Sequence, residues 1–199
     1  WIVRDEKNRR YLWCFSEGDR AIAIYSSKNI SSLGQRHLVW KSPKSGPYSK
    51  QVWAPELHLL DGKWHIYFAA SDGQNENHRA FVLQSKTDDP LGAYQLHGPF
   101  QTGESANENL WAIDMTPLKL GDKLYALWSG WDRPNTDRQF LYIAEMESPL
   151  KLSTKRVRIC NNSDYNWELT EPKPRGRGLN EGPQVIRNGE RTFVTYSCG

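Results

Sequence analysis

The sequence is poor in cysteine and has no long apolar run. Its 199 residues include three cysteines, Cys14, Cys160 and Cys198, with no CxxC spacing. A sparse, odd set of this kind excludes a disulfide framework and a zinc site, so we expect three free thiols. No stretch reaches the 18 apolar residues that suggest a membrane span, and we find no signal peptide. We therefore expect no membrane partner.

The chain also lacks an excess of either charge. It has 26 basic and 23 acidic residues, and the basic residues are scattered rather than gathered in a stripe. This pattern argues against a nucleic-acid partner. Aromatic residues are abundant instead, with nine Trp and nine Tyr. Such rings fill cores, but exposed ones also stack on the apolar faces of sugars.

Four segments repeat one pattern, in which an apolar run, a polar turn and an aromatic-rich strand follow each other. Asp-Gly and Asn-Gly at such turns are typical of type I′ hairpins. One or two more strand-like stretches, such as 21–27 and 79–85, follow each of the first three hairpins. The four hairpins lie at 1–15, 57–68, 117–128 and 184–196.

Units of about four short antiparallel strands predict an all-β fold of the β-propeller type. A β-sandwich is the alternative, but it explains the recurring hairpin less well. We expect a single partial propeller domain over 1–199, incomplete at about three and a half blades. The expected blades are I at 1–45, II at 50–105, III at 108–165 and the start of IV at 179–199. The stretch 171–178 is read as a polar connector.

Two acids occupy matching places when the hairpins are aligned on their turns. Counting back nine residues from Lys123 and from Glu190 reaches Asp114 and Glu181, while the same count from Lys63 reaches Ala54. Inner strands of successive blades line one channel, so we expect Asp114 and Glu181 to face a single cavity. A carboxyl pair is what glycoside hydrolysis needs. The plainer alternative is that Asp114 caps a turn and Glu181 is a surface acid.

Three spaced motifs resemble those of glycoside hydrolase family 43, which comprises α-L-arabinofuranosidases, β-xylosidases and endo-arabinanases on a five-bladed propeller. The resemblance covers essentially the whole chain. The motifs are Trp53-Ala54-Pro55-Glu56-Leu57-His58 with Trp64-His65-Ile66-Tyr67-Phe68, then Ala112-Ile113-Asp114-Met115-Thr116-Pro117, then Asn180-Glu181-Gly182-Pro183-Gln184-Val185.

The resemblance implies an inverting glycosidase and assigns roles to residues. Glu181 matches the general acid, and Asp114 matches the aspartate that orients this acid and raises its pKa. Trp53 matches the aromatic wall beside the terminal sugar, and Trp111 is a second candidate for substrate contact. The family's general base has no match here and would lie just upstream of Trp1, where the repeat count also places it. No catalytic metal or other cofactor is required, although a structural calcium at the propeller centre is implied as possible.

The resemblance favours an enzyme that removes terminal α-L-arabinofuranosyl residues from plant cell-wall polysaccharides or oligosaccharides. A β-xylosidase of the same family is one alternative. A non-catalytic sugar-binding propeller is another, because no residue of this chain matches the base. The chain begins within one predicted strand and stops after another, so we expect a longer parent, secreted or periplasmic. Its partners would be oligo- or polysaccharides that contain arabinose or xylose.

Overall fold

The computed structural model describes residues 1–105, 108–136, 138–169 and 178–198. These residues form antiparallel β-sheets and two short 3₁₀ turns, and they contain no α-helix. The chain divides into two compact units, residues 1–98 and 99–199. Most of the predicted connector, residues 171–177, lies outside the described residues.

The first unit contains two four-stranded antiparallel sheets whose strands follow chain order. The first sheet is β1 (Ile2–Asp5), β2 (Arg10–Glu17), β3 (Ala21–Ser27) and β4 (Gln35–Lys41). The second is β5 (Lys50–Leu60), β6 (Lys63–Ser71), β7 (Arg79–Ser85) and β8 (Tyr94–His97). The predicted stretches 21–27 and 79–85 are confirmed as β3 and β7.

Alternation of side chains explains how the first sheet reaches the core of this unit. On β2, Leu12 and Cys14 are buried and alternate with the half-buried Trp13 and Phe15. Since successive side chains of a strand point to opposite faces, one face of β2 supplies the core. β6 is buried almost throughout, as its near-continuous apolar run requires.

The second unit contains one larger sheet and a separate hairpin. The larger sheet is β9 (Ala112–Leu120), β10 (Lys123–Gly130), β11 (Phe140–Ser148), β12 (Lys151–Leu152) and β13 (Val157–Cys160). The hairpin is β14 (Glu181–Asn188) with β15 (Arg191–Ser197), and β14 packs beside β9. All four predicted hairpins are present, and the three cysteines are free as expected.

One predicted turn is wrong by one residue. Asn188 ends β14, and the turn consists of Gly189 and Glu190 rather than Asn188 and Gly189. Asn188 pairs with Arg191, so Gly189 takes the first central position, and its φ of 59° is what a type II′ turn requires there. In the Asp61-Gly62 turn both residues have positive φ, as a type I′ turn requires.

Candidate active site

Three hairpins share a β-bulge at the same place in their first strand. In β5, β9 and β14, two residues oppose one on the paired strand, so one extra residue is inserted. The residue six positions before the end of each strand has left-handed backbone: Ala54 (φ 45°), Asp114 (φ 53°) and Gly182 (φ 61°). We call this the bulge position. The same count along β1 passes beyond Trp1.

The bulge position corrects the predicted register of the two acids. Because the last turn lies one residue later than predicted, Gly182 rather than Glu181 is equivalent to Asp114. Glu181 lies one residue before the bulge position and pairs with Ser197 on β15. The two acids therefore do not occupy equivalent places, and Glu181 reaches the site from the strand position next to the bulge.

Asp114 nevertheless lies beside Glu181. The Gly182 backbone N–H donates a hydrogen bond to Asp114 Oδ2 at 3.0 Å. The bond lengths of one peptide unit then place this oxygen within about 6 Å of the Glu181 Cα. The structure thus brings together two residues that are 67 positions apart in the sequence. Both side chains are half-buried, which leaves them open to a ligand.

Asn180 fixes the chain on the other side of Glu181. This residue is fully buried, and its backbone oxygen accepts a hydrogen bond from Ser129 Oγ on β10 at 2.8 Å. Its side-chain Nδ2 donates to Glu168 Oε1 at 3.0 Å. Glu181 is therefore held between two anchored neighbours, Asn180 and Gly182.

Glu168 is a buried acid that the sequence did not reveal. It ends a 3₁₀ turn (Asn166–Glu168), has no exposed surface and accepts a hydrogen bond from the Tyr165 N–H at 2.9 Å. Burial raises the pKa of its carboxyl, but the hydrogen bonds that it accepts from Tyr165, Asn180, Tyr196 and Cys160 outweigh this effect and lower the pKa overall. The one local signal is the spacing from Tyr165 to Glu168, which is that of a capping box.

Trp53 offers an aromatic face in the first unit. Its ring is half-buried and stacks on His78 with 3.9 Å between ring centroids. His78 is fully buried, and both of its ring nitrogens face backbone oxygens, of Asn75 at 2.9 Å and Gln51 at 3.3 Å. Burial lowers the pKa of His78, so the neutral ring is favoured behind Trp53. The sugar contact predicted for Trp53 stays a prediction.

Trp111 has a packing role in the second unit. Only 3% of it is exposed, and it stacks on Trp131 with 4.8 Å between centroids and 7° between planes. Arg156 holds the following loop in place, since its guanidinium donates to the Trp131 and Asp132 carbonyls at 2.6 and 3.2 Å. The substrate contact predicted for Trp111 stays a prediction as well.

Metal ligands and membrane spans were also sought among the described residues. Within the four described ranges, no group of three or more His, Cys, Asp or Glu side chains could hold a metal ion. The calcium implied by the resemblance thus has no ligand set of that kind there and stays a prediction. None of the helical segments in that part of the chain is long and apolar enough to cross a membrane.

Comparison with known proteins places this geometry in a family. The family "Glycosyl hydrolases family 43" matches residues 1–199. An extracellular exo-α-(1→5)-L-arabinofuranosidase of Streptomyces chartreusis is 28% identical over 99% of this chain and 58% of that protein. The α-L-arabinofuranosidase 43 of Humicola insolens is 35% identical over 92% of this chain and 36% of that protein.

A solved structure gives the same answer for the fold. The crystal structure of α-L-arabinofuranosidase from Lactobacillus brevis is 31% identical, with a TM-score of 0.86 over all of this chain and 62% of that one. The chain therefore spans between about one third and about three fifths of the length of these relatives. The fold is all-β and of the β-propeller type, with about three and a half blades present. The chain belongs to glycosyl hydrolases family 43.

Proposed function

We propose that this chain carries the general acid of an exo-acting α-L-arabinofuranosidase that removes terminal α-L-arabinofuranosyl residues from plant cell-wall polysaccharides or oligosaccharides. The observation that carries the proposal is the 3.0 Å hydrogen bond from the Gly182 N–H to Asp114, which places an acidic side chain beside Glu181. The choice of sugar is supported by the arabinofuranosidases of Streptomyces, Humicola and Lactobacillus to which the chain is similar.

In the proposed reaction Glu181 donates a proton to the glycosidic oxygen as the bond to the sugar breaks. A second carboxylate activates a water molecule on the opposite face of the sugar, which gives inversion. No residue of this chain is assigned as that base. Asp114 lies beside the proposed acid, and the hydrogen bond from the Gly182 N–H holds its carboxylate there.

The backbone explains why Asp114 suits this task. Its left-handed conformation turns the strand locally, and Asp tolerates that conformation better than most residues. The carboxylate accepts a hydrogen bond from a main-chain N–H, which ties it to the backbone beside Glu181. Trp53 is the proposed sugar-stacking residue of the first unit, with one ring face covered by His78.

The test is hydrolysis of p-nitrophenyl α-L-arabinofuranoside and p-nitrophenyl β-D-xyloside by the natural full-length protein. We expect the arabinofuranoside to be preferred, and proton NMR of the first product should show the inverted anomer. Preference for the xyloside would favour the β-xylosidase alternative, and retention would contradict the inverting mechanism. Absence of turnover with retained sugar binding would indicate a non-catalytic propeller.

The Glu181→Gln variant tests the proposed acid directly. A positioned general acid contributes roughly 10²–10⁴ in rate, and we expect kcat to fall within that range on an arabino-oligosaccharide. Glu190→Gln is the matched control, because Glu190 is exposed in the turn at the other end of the same hairpin. Unchanged turnover in Glu181→Gln would remove this residue from the mechanism.

A further inference from the structure

We propose that Glu168 is a positioning residue that fixes Glu181 by anchoring both strands of the β14–β15 hairpin. The inference rests on the proposed function, since it takes Glu181 as the general acid. It goes beyond that function because Glu168 belongs to none of the three motifs that suggested the family. The carboxylate of Glu168 is fully buried.

The first anchor lies directly before the strand that carries the acid. Asn180 directly precedes Glu181, and its Nδ2 donates to Glu168 Oε1 at 3.0 Å and to the Asn161 oxygen at 3.1 Å. Its backbone oxygen is held separately by Ser129 Oγ at 2.8 Å. The entry into β14 therefore has its side chain and its main chain fixed by different partners.

The second anchor is on the paired strand. Glu181 pairs with Ser197, and the residue next to Ser197 is Tyr196. The Tyr196 hydroxyl donates to Glu168 Oε1 at 2.9 Å, the same oxygen that accepts from Asn180. Glu168 Oε1 thus binds Asn180, the neighbour of Glu181. It also binds Tyr196, the neighbour of the residue that pairs with Glu181 across the hairpin.

The chemistry of this cluster explains why a carboxylate occupies the place. Four donors converge on Glu168: the Tyr165 N–H, Asn180 Nδ2, the Tyr196 hydroxyl and, at 3.5 Å, Cys160 Sγ. An ionised carboxylate is an acceptor only and can satisfy all of them, whereas an amide would turn an N–H toward at least one donor. Burying a charge is costly unless it is hydrogen-bonded, so losing these bonds should move the hairpin.

Displacement of the hairpin would affect proton donation in particular. A general acid must lie within hydrogen-bond reach of the leaving oxygen, and a misplacement of about 1 Å can cost on the order of a hundredfold in rate. A good leaving group, such as p-nitrophenolate, departs with little help from the general acid. Substrates with a poor leaving group depend on it, and they should report the position of Glu181.

The experiment compares Glu168→Gln with wild type in the natural full-length protein, using p-nitrophenyl and methyl α-L-arabinofuranoside. We expect kcat/KM on the methyl glycoside to fall by about tenfold more than on the p-nitrophenyl glycoside, since only the former needs strong acid assistance. Glu190→Gln should leave this ratio unchanged. Equal losses on both substrates, or no loss on either, would overturn the positioning role.

A second variant covers the case in which Glu168→Gln does not fold, as judged by near-ultraviolet circular dichroism. Tyr196→Phe keeps the ring and removes the hydroxyl that donates to Glu168. We expect it to show the same selective loss on the methyl glycoside, by about threefold to tenfold, because one of the two anchors remains. A folded Tyr196→Phe with an unchanged ratio would contradict the proposal.

Glu181→Gln separates this inference from the proposed function. If that variant keeps full turnover of the methyl glycoside, the proposed function fails, and the positioning role fails with it. If it loses turnover of the methyl glycoside while the Glu168 and Tyr196 variants keep the wild-type ratio, only the positioning role fails.

Discussion

The β5–β6 and β9–β10 hairpins use the same backbone device and place different chemistry on it. Each carries a one-residue bulge with a left-handed residue six positions before the end of its first strand, Ala54 in the first unit and Asp114 in the second. Ala54 brings no functional group, whereas Asp114 accepts a hydrogen bond from the main chain beside Glu181. The bulge is therefore common to these hairpins, whereas an acidic side chain occupies the bulge position only in β9, as Asp114.

The aromatic residues near these bulges differ in the same way. Trp53 directly precedes the bulge position of β5 and keeps part of its ring exposed. Trp111 lies just before β9, three residues ahead of Asp114, and is buried against Trp131. The first unit thus presents an aromatic surface and the second an acidic one, although both use the same hairpin pattern.

The two tryptophans give the largest expected difference in stability. Trp111→Ala should lower the free energy of unfolding by about 3–5 kcal/mol, because it leaves a large cavity beside Trp131. Trp53→Ala should cost only about 1 kcal/mol, the scale of one aromatic pair, but should raise KM for arabinofuranosides. Urea denaturation and steady-state kinetics measure the two effects.

Trp111→Phe serves as the control for a substrate role of Trp111. It keeps an aromatic ring in the core and should leave KM unchanged if Trp111 only packs. A raised KM in a stably folded Trp111→Phe would support the predicted substrate contact and weaken the contrast with Trp53.

Acid sensitivity provides the second contrast, because all five histidines lie in residues 1–98. Burial lowers the pKa of His65 to about 4; its Nδ1–H donates to the Lys63 carbonyl, and its Nε2 accepts from Gln84. An unfolded histidine has a pKa of about 6.5, so the unfolded chain binds more protons between pH 6.5 and 4. Stability should therefore be complete above about pH 6.5 and fall by up to about 3 kcal/mol as the pH drops toward 4.

A His65→Gln variant tests this source of acid sensitivity. The measurement is the free energy of urea unfolding at pH 7 and pH 4.5. The difference between the two values should be smaller in the variant than in wild type by about 2 kcal/mol. An equal difference in both proteins would show that His65 does not titrate between folded and unfolded states as inferred.

Removing the charge of Asp114 without changing its shape is the third test. Asn tolerates left-handed backbone, and its amide oxygen can accept the Gly182 N–H, so Asp114→Asn should fold with near-wild-type stability. We expect kcat/KM to fall by about a hundredfold, the lower end of the contribution of a positioned general acid. The equivalent substitution Ala54→Asn is the control and should leave kcat/KM within about threefold of wild type.

Much of this arrangement could be predicted from the sequence, because hairpins are local. The turns after Leu60 and Leu120 and the strands Ala21–Ser27 and Arg79–Ser85 follow from neighbouring residues. The sequence misplaces the Gly189 turn because glycine can take either central position, and the choice depends on the twist of the whole hairpin. That single residue shifted the predicted register of Glu181.

The parts that could not be predicted depend on contacts between distant segments. The residues next to Glu168 in the sequence do not indicate its role. That role depends on hydrogen bonds from Asn180 and Tyr196, which lie 12 and 28 positions away. The short strand Lys151–Leu152 is too brief to show any alternation. Trp111 had a loop-like context, but its burial depends on Trp131, 20 residues later in the sequence.

The smallest expected effect tests whether the three bulges are one device. Gly182→Ala should lower the free energy of unfolding by about 1 kcal/mol, because an L-residue pays a penalty in left-handed backbone, while the space at its Cβ is open up to Ser197 Oγ at 3.7 Å. Ala54→Gly should relieve the same penalty and raise the free energy of unfolding by up to about 1 kcal/mol. Opposite signs in urea denaturation would support a common backbone conformation. If both variants are destabilised, then Ala54 owes its place to packing, and the likeness between the β5 and β14 bulges is limited to hydrogen-bond register.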